Sequence, residues 1–305
     1  MAPVAIEALP GDVGRRRYFR LRLADNRSVL GVVYPAEEDD SRRRWVKARS
    51  ALQGGVRVPM LIADDERGNQ LVEDLGVLDL AARLTGRPAE RGLWLARAAE
   101  VADAIAGTDD PGINSPFDAS LFLRELDLAR EAVFDMYLGE PLSAEERDVH
   151  DRWARVLVRE ILEHPFAVCH RDFHGNNLFP VGDTIAVIDF QDCRRGPDAY
   201  DLASLLWERS TLEWMSEEAQ RAVVAAFAAR RGVDARALEG RLRRVLLQRA
   251  WKVCGTFARA VCRGRADAYR RFLPTELALV RRLLADSAED RRFGALLASR
   301  AAGVC

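Results

Sequence analysis

Lysine is almost missing from this chain. Of 46 basic residues only Lys47 and Lys252 are lysines, so any chemistry that needs a lysine has two candidates. Charge of one sign is missing too. Lys and Arg together number 46 against 47 Asp and Glu, a formal charge of -1, and no broad basic field invites nucleic acid or an anionic membrane surface. No uninterrupted apolar run approaches the roughly 20 residues of a membrane span. The opening segment, Met1-Ala2-Pro3-Val4-Ala5-Ile6-Glu7, has neither the charged start nor the apolar stretch of a signal peptide, so a cytoplasmic protein without membrane partners is expected. The five cysteines, Cys169, Cys193, Cys254, Cys262 and Cys305, are odd in number and lack CxxC spacing. That suits neither a disulfide framework nor a zinc site, and free thiols are expected.

What is present is enough for a full core: 305 residues, 49% of them hydrophobic, the size of one large domain or two unequal lobes. The first 75 residues read as strand-rich. Tyr18-Phe19-Arg20-Leu21-Arg22-Leu23 predicts a strand, Ala24-Asp25-Asn26-Arg27 a turn, and residues 28–34 the hairpin partner. A helix is expected over residues 41–53 with Ser41 as its N-cap and Gly54-Gly55 as its stop, then strands over 56–62 and 69–73. Beyond Gly76 apolar residues recur at three- and four-residue intervals, which predicts helices over 93–106, 119–136, 144–163, 217–231, 238–263 and 273–285. The arginine pairs Arg243-Arg244 and Arg281-Arg282 read as solvated helix faces. The whole is an α+β chain with a small lobe over 1–75 and a larger helical lobe over 76–305, for which a cleft is the default site.

Within the helical part lies one loop-and-strand island. It runs Phe166-Ala167-Val168-Cys169-His170-Arg171-Asp172-Phe173-His174-Gly175-Asn176-Asn177-Leu178-Phe179, then turns at Gly182-Asp183 and ends Ile185-Ala186-Val187-Ile188-Asp189-Phe190-Gln191-Asp192. An Asp, an Asn five residues later and a second Asp at the end of the next strand have the spacing of a kinase catalytic loop. Asp172 would accept the proton of an acceptor hydroxyl. Asn177 and Asp189 would hold magnesium, a hard cation that takes oxygen ligands. His174 reads either as a substrate contact or as a tie within the loop.

On these residues, and on Gly196-Pro197-Asp198-Ala199-Tyr200-Asp201-Leu202-Ala203-Ser204-Leu205-Leu206, the chain resembles the aminoglycoside phosphotransferase-like small-molecule kinases, which have a two-lobe protein-kinase-like fold. Within them it is similar to the anomeric sugar kinases that phosphorylate N-acetylmuramate and N-acetylglucosamine in cell-wall recycling. That narrower resemblance rests on Leu9-Pro10-Gly11-Asp12 with Arg16-Arg17-Tyr18-Phe19-Arg20, on Leu71-Val72-Glu73-Asp74-Leu75-Gly76, on Asp189-Phe190-Gln191-Asp192, and on Leu247-Gln248-Arg249-Ala250-Trp251-Lys252-Val253 with Gly255 and Phe257-Ala258-Arg259. The resemblance implies ATP and Mg2+, a phosphate turn over residues 11–17, and a connector at Glu73 to Leu75 whose backbone pairs with adenine. It also implies that His170 and Asp201 support the catalytic loop, and that Glu125 is shared with the subgroup. The acceptor would be the C1 hydroxyl of a sugar, and the protein a monomer or weak dimer.

The chain departs from kinases of this fold at one place. Where they carry a strand lysine for the α- and β-phosphates, it reads Leu30-Gly31-Val32-Val33-Tyr34-Pro35, without a basic residue. Arg16 or Arg17 is the expected replacement. For the acceptor, Gln191 and Asp192 follow the metal ligand directly, and Lys252 stands among Trp251, Val253 and Phe257. A kinase for an aminoglycoside or other amino alcohol is the competing enzyme reading, and a catalytically silent nucleotide-binding module the competing reading of another class.

Overall fold

The computed structural model describes residues 3–9, 15–65, 67–207, 211, 214–264, 269–284 and 287–304. The expected phosphate turn falls largely on residues 11–14, outside the described residues. Packing divides the chain into two compact units, Met1–Ser115 with Val168–Arg194, and Pro116–Ala167 with Arg195–Cys305. The island thus packs with the N-terminal residues, across the lobe boundary expected at residue 75.

The first unit is built on a five-stranded antiparallel sheet of β1 (Ala5–Leu9), β2 (Arg17–Arg22), β3 (Ser28–Val33), β4 (Leu61–Asp64) and β5 (Asn69–Glu73), in the order β1-β2-β3-β5-β4. The predicted hairpin forms because Asp25 accepts from the Arg27 N–H and Asn26 takes the left-handed conformation that asparagine tolerates, φ 63°. Its register pairs Tyr18 with Val32, and β3 pairs Leu30 with Val72 and Val32 with Gln70. With a side-chain period of two, these residues share one face of the sheet.

Helix α1 (Asp39–Leu52) starts two residues before the expected Ser41 cap. Asp39 and Asp40 put negative charge on the first turn, where the helix dipole favours it, and Asp39 pairs with Arg42 and Arg43 one turn on. The strand expected over 56–62 shrinks to β4. Pro59 has no N–H to give a ladder, and the Met60 N–H goes to the Glu73 carboxylate instead. Two helices follow, α2 (Leu80–Gly86), which sequence reading missed, and α3 (Arg91–Ala106). After the chain returns at β6 (Phe166–Cys169), the strands β7 (Leu178–Val181) and β8 (Thr184–Val187) form a hairpin closed by Gly182 at φ 58°. Helix α1 packs on the 190–192 turn, α2 on the 175–177 turn and α3 on β8.

The second unit is helical: α4 (Ala119–Arg130), a π-helical turn at Glu131–Tyr137, α5 (Ala144–Leu162), the short strand β9 (Arg194–Pro197) at its border, α6 (Tyr200–Leu206), α7 (Glu217–Arg231), α8 (Ala235–Cys262), α9 (Leu273–Leu283) and α10 (Ala288–Arg300). Asp118, Ser143, Ser216, Asp234 and Ser287 each accept the third backbone N–H of the helix they begin. Helices α4 and α8 cross so closely that a Cβ on Gly255 would clash with the Ala129 backbone. An aromatic cluster fills the core, with Trp153 stacked on Phe293 at 4.1 Å and Trp251 edge-on to it.

Two expected solvent arginines are structural. Arg244 pairs with Glu160 and with the fully buried Asp290, and Arg281 donates to the carbonyls of Leu297 and Ala301 at the end of α10. Cys169, Cys193, Cys254 and Cys262 are free thiols, and Cys305 lies outside the described residues. Among the described residues no helix is long and apolar enough to cross a membrane.

Candidate active site

Antiparallel pairing of β7 with β8 does the main work of assembling the island. Leu178 lies opposite Val187, so the residues just outside that pair, Asn177 and Ile188, must meet. They do, the Ile188 N–H donating to the Asn177 carbonyl at 3.0 Å. Asp189 follows and is thereby delivered beside Asn177. The imidazole of His170, fully buried, donates from Nε2 to the Ile188 carbonyl at 2.8 Å, tying the start of the loop to the same strand end.

The loop then folds on itself. The Asp172 carbonyl accepts from the His174 N–H at 3.1 Å and from Asn177 Nδ2 at 2.9 Å, and the Asn177 N–H reaches the His174 carbonyl at 2.9 Å. The Nε2 of His174 stands 3.5 Å from Asn177 Nδ2. Two non-glycine residues in the island take left-handed backbone conformations, Arg171 at φ 82° and Asp189 at φ 61°. Such strain persists only where surrounding contacts hold it, and it gathers at functional sites. Gly175 is needed for space: a Cβ there would lie 2.9 Å from the backbone N and the Cβ of Ala81 in α2.

Asn177 and Asp189 suit Mg2+. With its amide nitrogen committed to the Asp172 carbonyl, Asn177 keeps Oδ1 for a cation, and a carboxylate beside it completes a pair of hard oxygen donors. Magnesium characteristically takes only one or two protein ligands and fills its shell with phosphate oxygens and water.

These residues border a cavity of about 450 Å³ within the first unit. Its roof is the shared sheet face, Tyr18, Leu30, Val32, Gln70 and Val72, and its floor includes Phe179, Ile188 and Asp189. Leu75 and Gly76 line one end. The connector is pinned by its own side chains. Glu73 is held by Arg57 and the Met60 N–H, while Asp74 accepts from Arg20, Ser28 and the Gly76 N–H. Burial works to raise the Asp74 carboxyl, but these donors hold it below the usual carboxylate range. The cavity's size and largely apolar lining, with a few polar groups among it, suit a nucleotide base with its sugar and phosphates.

Arg16 reaches into this cavity and Arg17 does not. Arg16 Nη2 lies 3.6 Å from Asp189 Oδ1, and its guanidinium stands over the Tyr34 ring at 5.9 Å. Arg17, the first residue of β2, is exposed. Gln191 is buried and donates from Nε2 to Asp189 Oδ1 at 2.7 Å, and its backbone is held by Asn114. Asp192 is half-exposed, with Arg44 at 3.9 Å.

The remaining expected residues lie in the second unit. Lys252 Nζ is 3.3 Å from Glu125 Oε1, and Gln248, one turn before Lys252 on α8, donates to Glu125 Oε2 at 2.9 Å. Asp201 is buried in the first turn of α6. Sequence reading missed Tyr34, Gln70, Asn114 and Gln248. One of them carried a signal: Gln248 stands one helical turn before Lys252, which the reading had already singled out.

Known proteins resemble this chain over most of its length. The N-acetylmuramate/N-acetylglucosamine kinase of Neisseria meningitidis serogroup B is 30% identical over 296 residues, covering 94% of this chain and 87% of that one. The protein of the same name from Pseudomonas aeruginosa is 33% identical over 221 residues, 70% of this chain and 62% of that one. Among solved structures, a choline/ethanolamine kinase family protein from Mesorhizobium loti superposes with a TM-score of 0.65 at 19% identity, covering 95% of this chain and 91% of that one. The gentamicin-APH(2")-IIa complex gives 0.64 at 16% identity, covering 95% and 94%. The fold is therefore the protein-kinase-like fold of choline kinases and aminoglycoside phosphotransferases. With the model of the phosphotransferase enzyme family matching residues 5–245, the chain belongs to that family.

Proposed function

We propose that this phosphotransferase is an ATP-dependent kinase acting on the anomeric C1 hydroxyl of a sugar such as N-acetylmuramate, N-acetylglucosamine or a related hexose. The observation that carries the kinase reading is the pair Asn177 and Asp189 lining a base-sized cavity, with Asn177 hydrogen-bonded to the Asp172 backbone. The sugar reading is supported by the relatives, which are named for N-acetylmuramate and N-acetylglucosamine.

In this reading the adenine lies under the sheet face, paired with the connector backbone from Glu73 to Leu75, and Arg16 or Arg17 offsets phosphate charge. Residues 1–75 serve the nucleotide, and residues 76–305 supply the chemistry and the acceptor contacts. Asn177 and Asp189 hold Mg2+, which when bound neutralises charge on the phosphate oxygens. The Asp172 carboxylate orients the acceptor hydroxyl and takes its proton as the oxygen bonds to the γ-phosphorus and ADP departs. His170 and Asp201 brace the catalytic loop. For the acceptor we name His174, Gln191 and Asp192 in the first unit and Glu125 and Lys252 in the second. Substitution of each one singly, scored by the KM for the sugar, sorts contacts from bystanders.

The deciding experiment incubates the protein with ATP, Mg2+ and a panel of sugars, amino sugars and aminoglycosides, and follows ADP release. NMR of the product then locates the phosphate. A 1-phosphate of an N-acetylhexosamine is expected. Turnover of aminoglycosides or amino alcohols alone would overturn the sugar assignment, and failure to release ADP with any acceptor of the panel would leave a silent nucleotide-binding module.

A further inference from the structure

Among the described residues lining the cavity, Arg16 is the only cation, and it shares the lining with two carboxylates, Glu73 and Asp189. A polyanionic nucleotide entering such a cavity needs positive charge from the protein as well as from its metal. Two other basic side chains of the first unit are committed elsewhere. Arg42 is held by Asp39 and Asp64, and Lys47, exposed on α1, donates to the Gly112 carbonyl. On β3 the cavity-facing positions are Leu30, Val32 and, just beyond the strand, Tyr34.

Strand periodicity separates Arg16 from Arg17. Arg16 and Tyr18 have the same parity and both line the cavity, whereas Arg17 is exposed. Arg16 is also held from behind. Glu38, in the turn before α1, places Oε2 3.8 Å from Arg16 Nε, so one carboxylate supports the guanidinium while Asp189 meets its other end at 3.6 Å. The Tyr34 ring adds a face against which the planar cation rests.

We propose that Arg16, positioned by Glu38, takes the charge role of the missing strand lysine, and that magnesium nucleotide moves its guanidinium from Asp189 onto the α- and β-phosphates. Arg16 lies against the carboxylate that Mg2+ would use, so the two cations compete for Asp189. When the metal nucleotide arrives, Asp189 exchanges a cationic side chain for a cation, and the guanidinium turns to phosphate oxygens, for which its forked donors are well suited. Glu38 keeps its end of the side chain in place throughout. The inference rests on the kinase reading above and adds a competition between Arg16 and the metal for Asp189.

That competition gives the test a readout that a structural role alone would not produce. Arg16→Met is expected to bind ATP with Mg2+ at least about tenfold more weakly, yet to bind Mn2+ alone, measured by titration calorimetry or spin resonance, several-fold more tightly than wild type. Glu38→Gln should raise the KM for ATP about three- to tenfold and leave kcat within about twofold, since it loosens positioning only. Arg16→Lys should recover part of the nucleotide affinity, and Arg22→Met, a charge loss at the far end of β2, should match wild type. Thermal melts check that each variant is folded. If Arg16→Met binds Mn2+ and magnesium nucleotide as wild type does, or if the loss appears in Arg17→Met instead, the inference is overturned while the kinase reading stands. A wild-type protein that binds no magnesium nucleotide overturns both.

Discussion

Asp189 combines a left-handed backbone, a hydrogen bond from Gln191 and an ionic neighbour in Arg16, so three constraints fix one carboxylate. Its substitution and that of Asp172 should therefore fail in different ways. Asp172→Asn keeps the shape and loses the proton acceptor. Turnover should fall by roughly 10²–10⁴ while ATP affinity stays within about twofold. Asp189→Ala should abolish the gain in nucleotide affinity that Mg2+ provides, read as equal Kd values with and without the metal. Near-wild-type turnover of Asp172→Asn would remove it from the mechanism. These residues were legible in sequence because the spacing of a catalytic loop is local. Glu38 and Asn114 were not, because each reaches the site from a distant element and has no motif of its own.

At the scale of elements, Gly175 of the catalytic loop packs tightly against helix α2, and Asn176 donates to Asp79 at the helix N-cap. Gly175→Ala would drive a methyl group against the Ala81 backbone, which a helix cannot yield as a flexible side chain would. The substitution should lower stability by about 1–3 kcal/mol and cut kcat further than the KM for ATP, because the loop shifts while the cavity roof remains. Thermal melts and steady-state kinetics on one preparation check both. Hairpin and helix existence was readable from period and turn chemistry, as β2 with β3 and the cores of α3, α5, α7 and α8 illustrate. Helix α2 escaped because seven residues are too few to display a period. Helix α10 escaped because its apolar stripe, Phe293, Leu296 and Leu297, follows a charged opening. The buried pairing of Arg244 with Asp290 was invisible for a different reason: a run of arginines reads as solvent-facing until the partner's location is known.

Across the whole molecule, stability should depend on acid through its histidines. Burial pushes the His164 imidazole down to about 4, with Arg241 and Arg244 adding to the effect against the attraction of Asp198, and burial also lowers His150. The unfolded chain, with histidines near 6.5, takes up protons there that the folded one refuses. Stability is therefore lost as pH falls from about 6.5 towards 4, and His164→Asn should flatten that slope in melts recorded between those values. A slope unchanged by the substitution would assign the effect to His150. The first unit is also discontinuous, with Val168–Arg194 returning to Met1–Ser115 after α4 and α5 have intervened. On the ribosome, then, the N-terminal segment emerges without the catalytic loop that packs on α1, α2 and α3. It must wait through the synthesis of two long helices before it can be completed, with apolar surface open to chaperones in the interval.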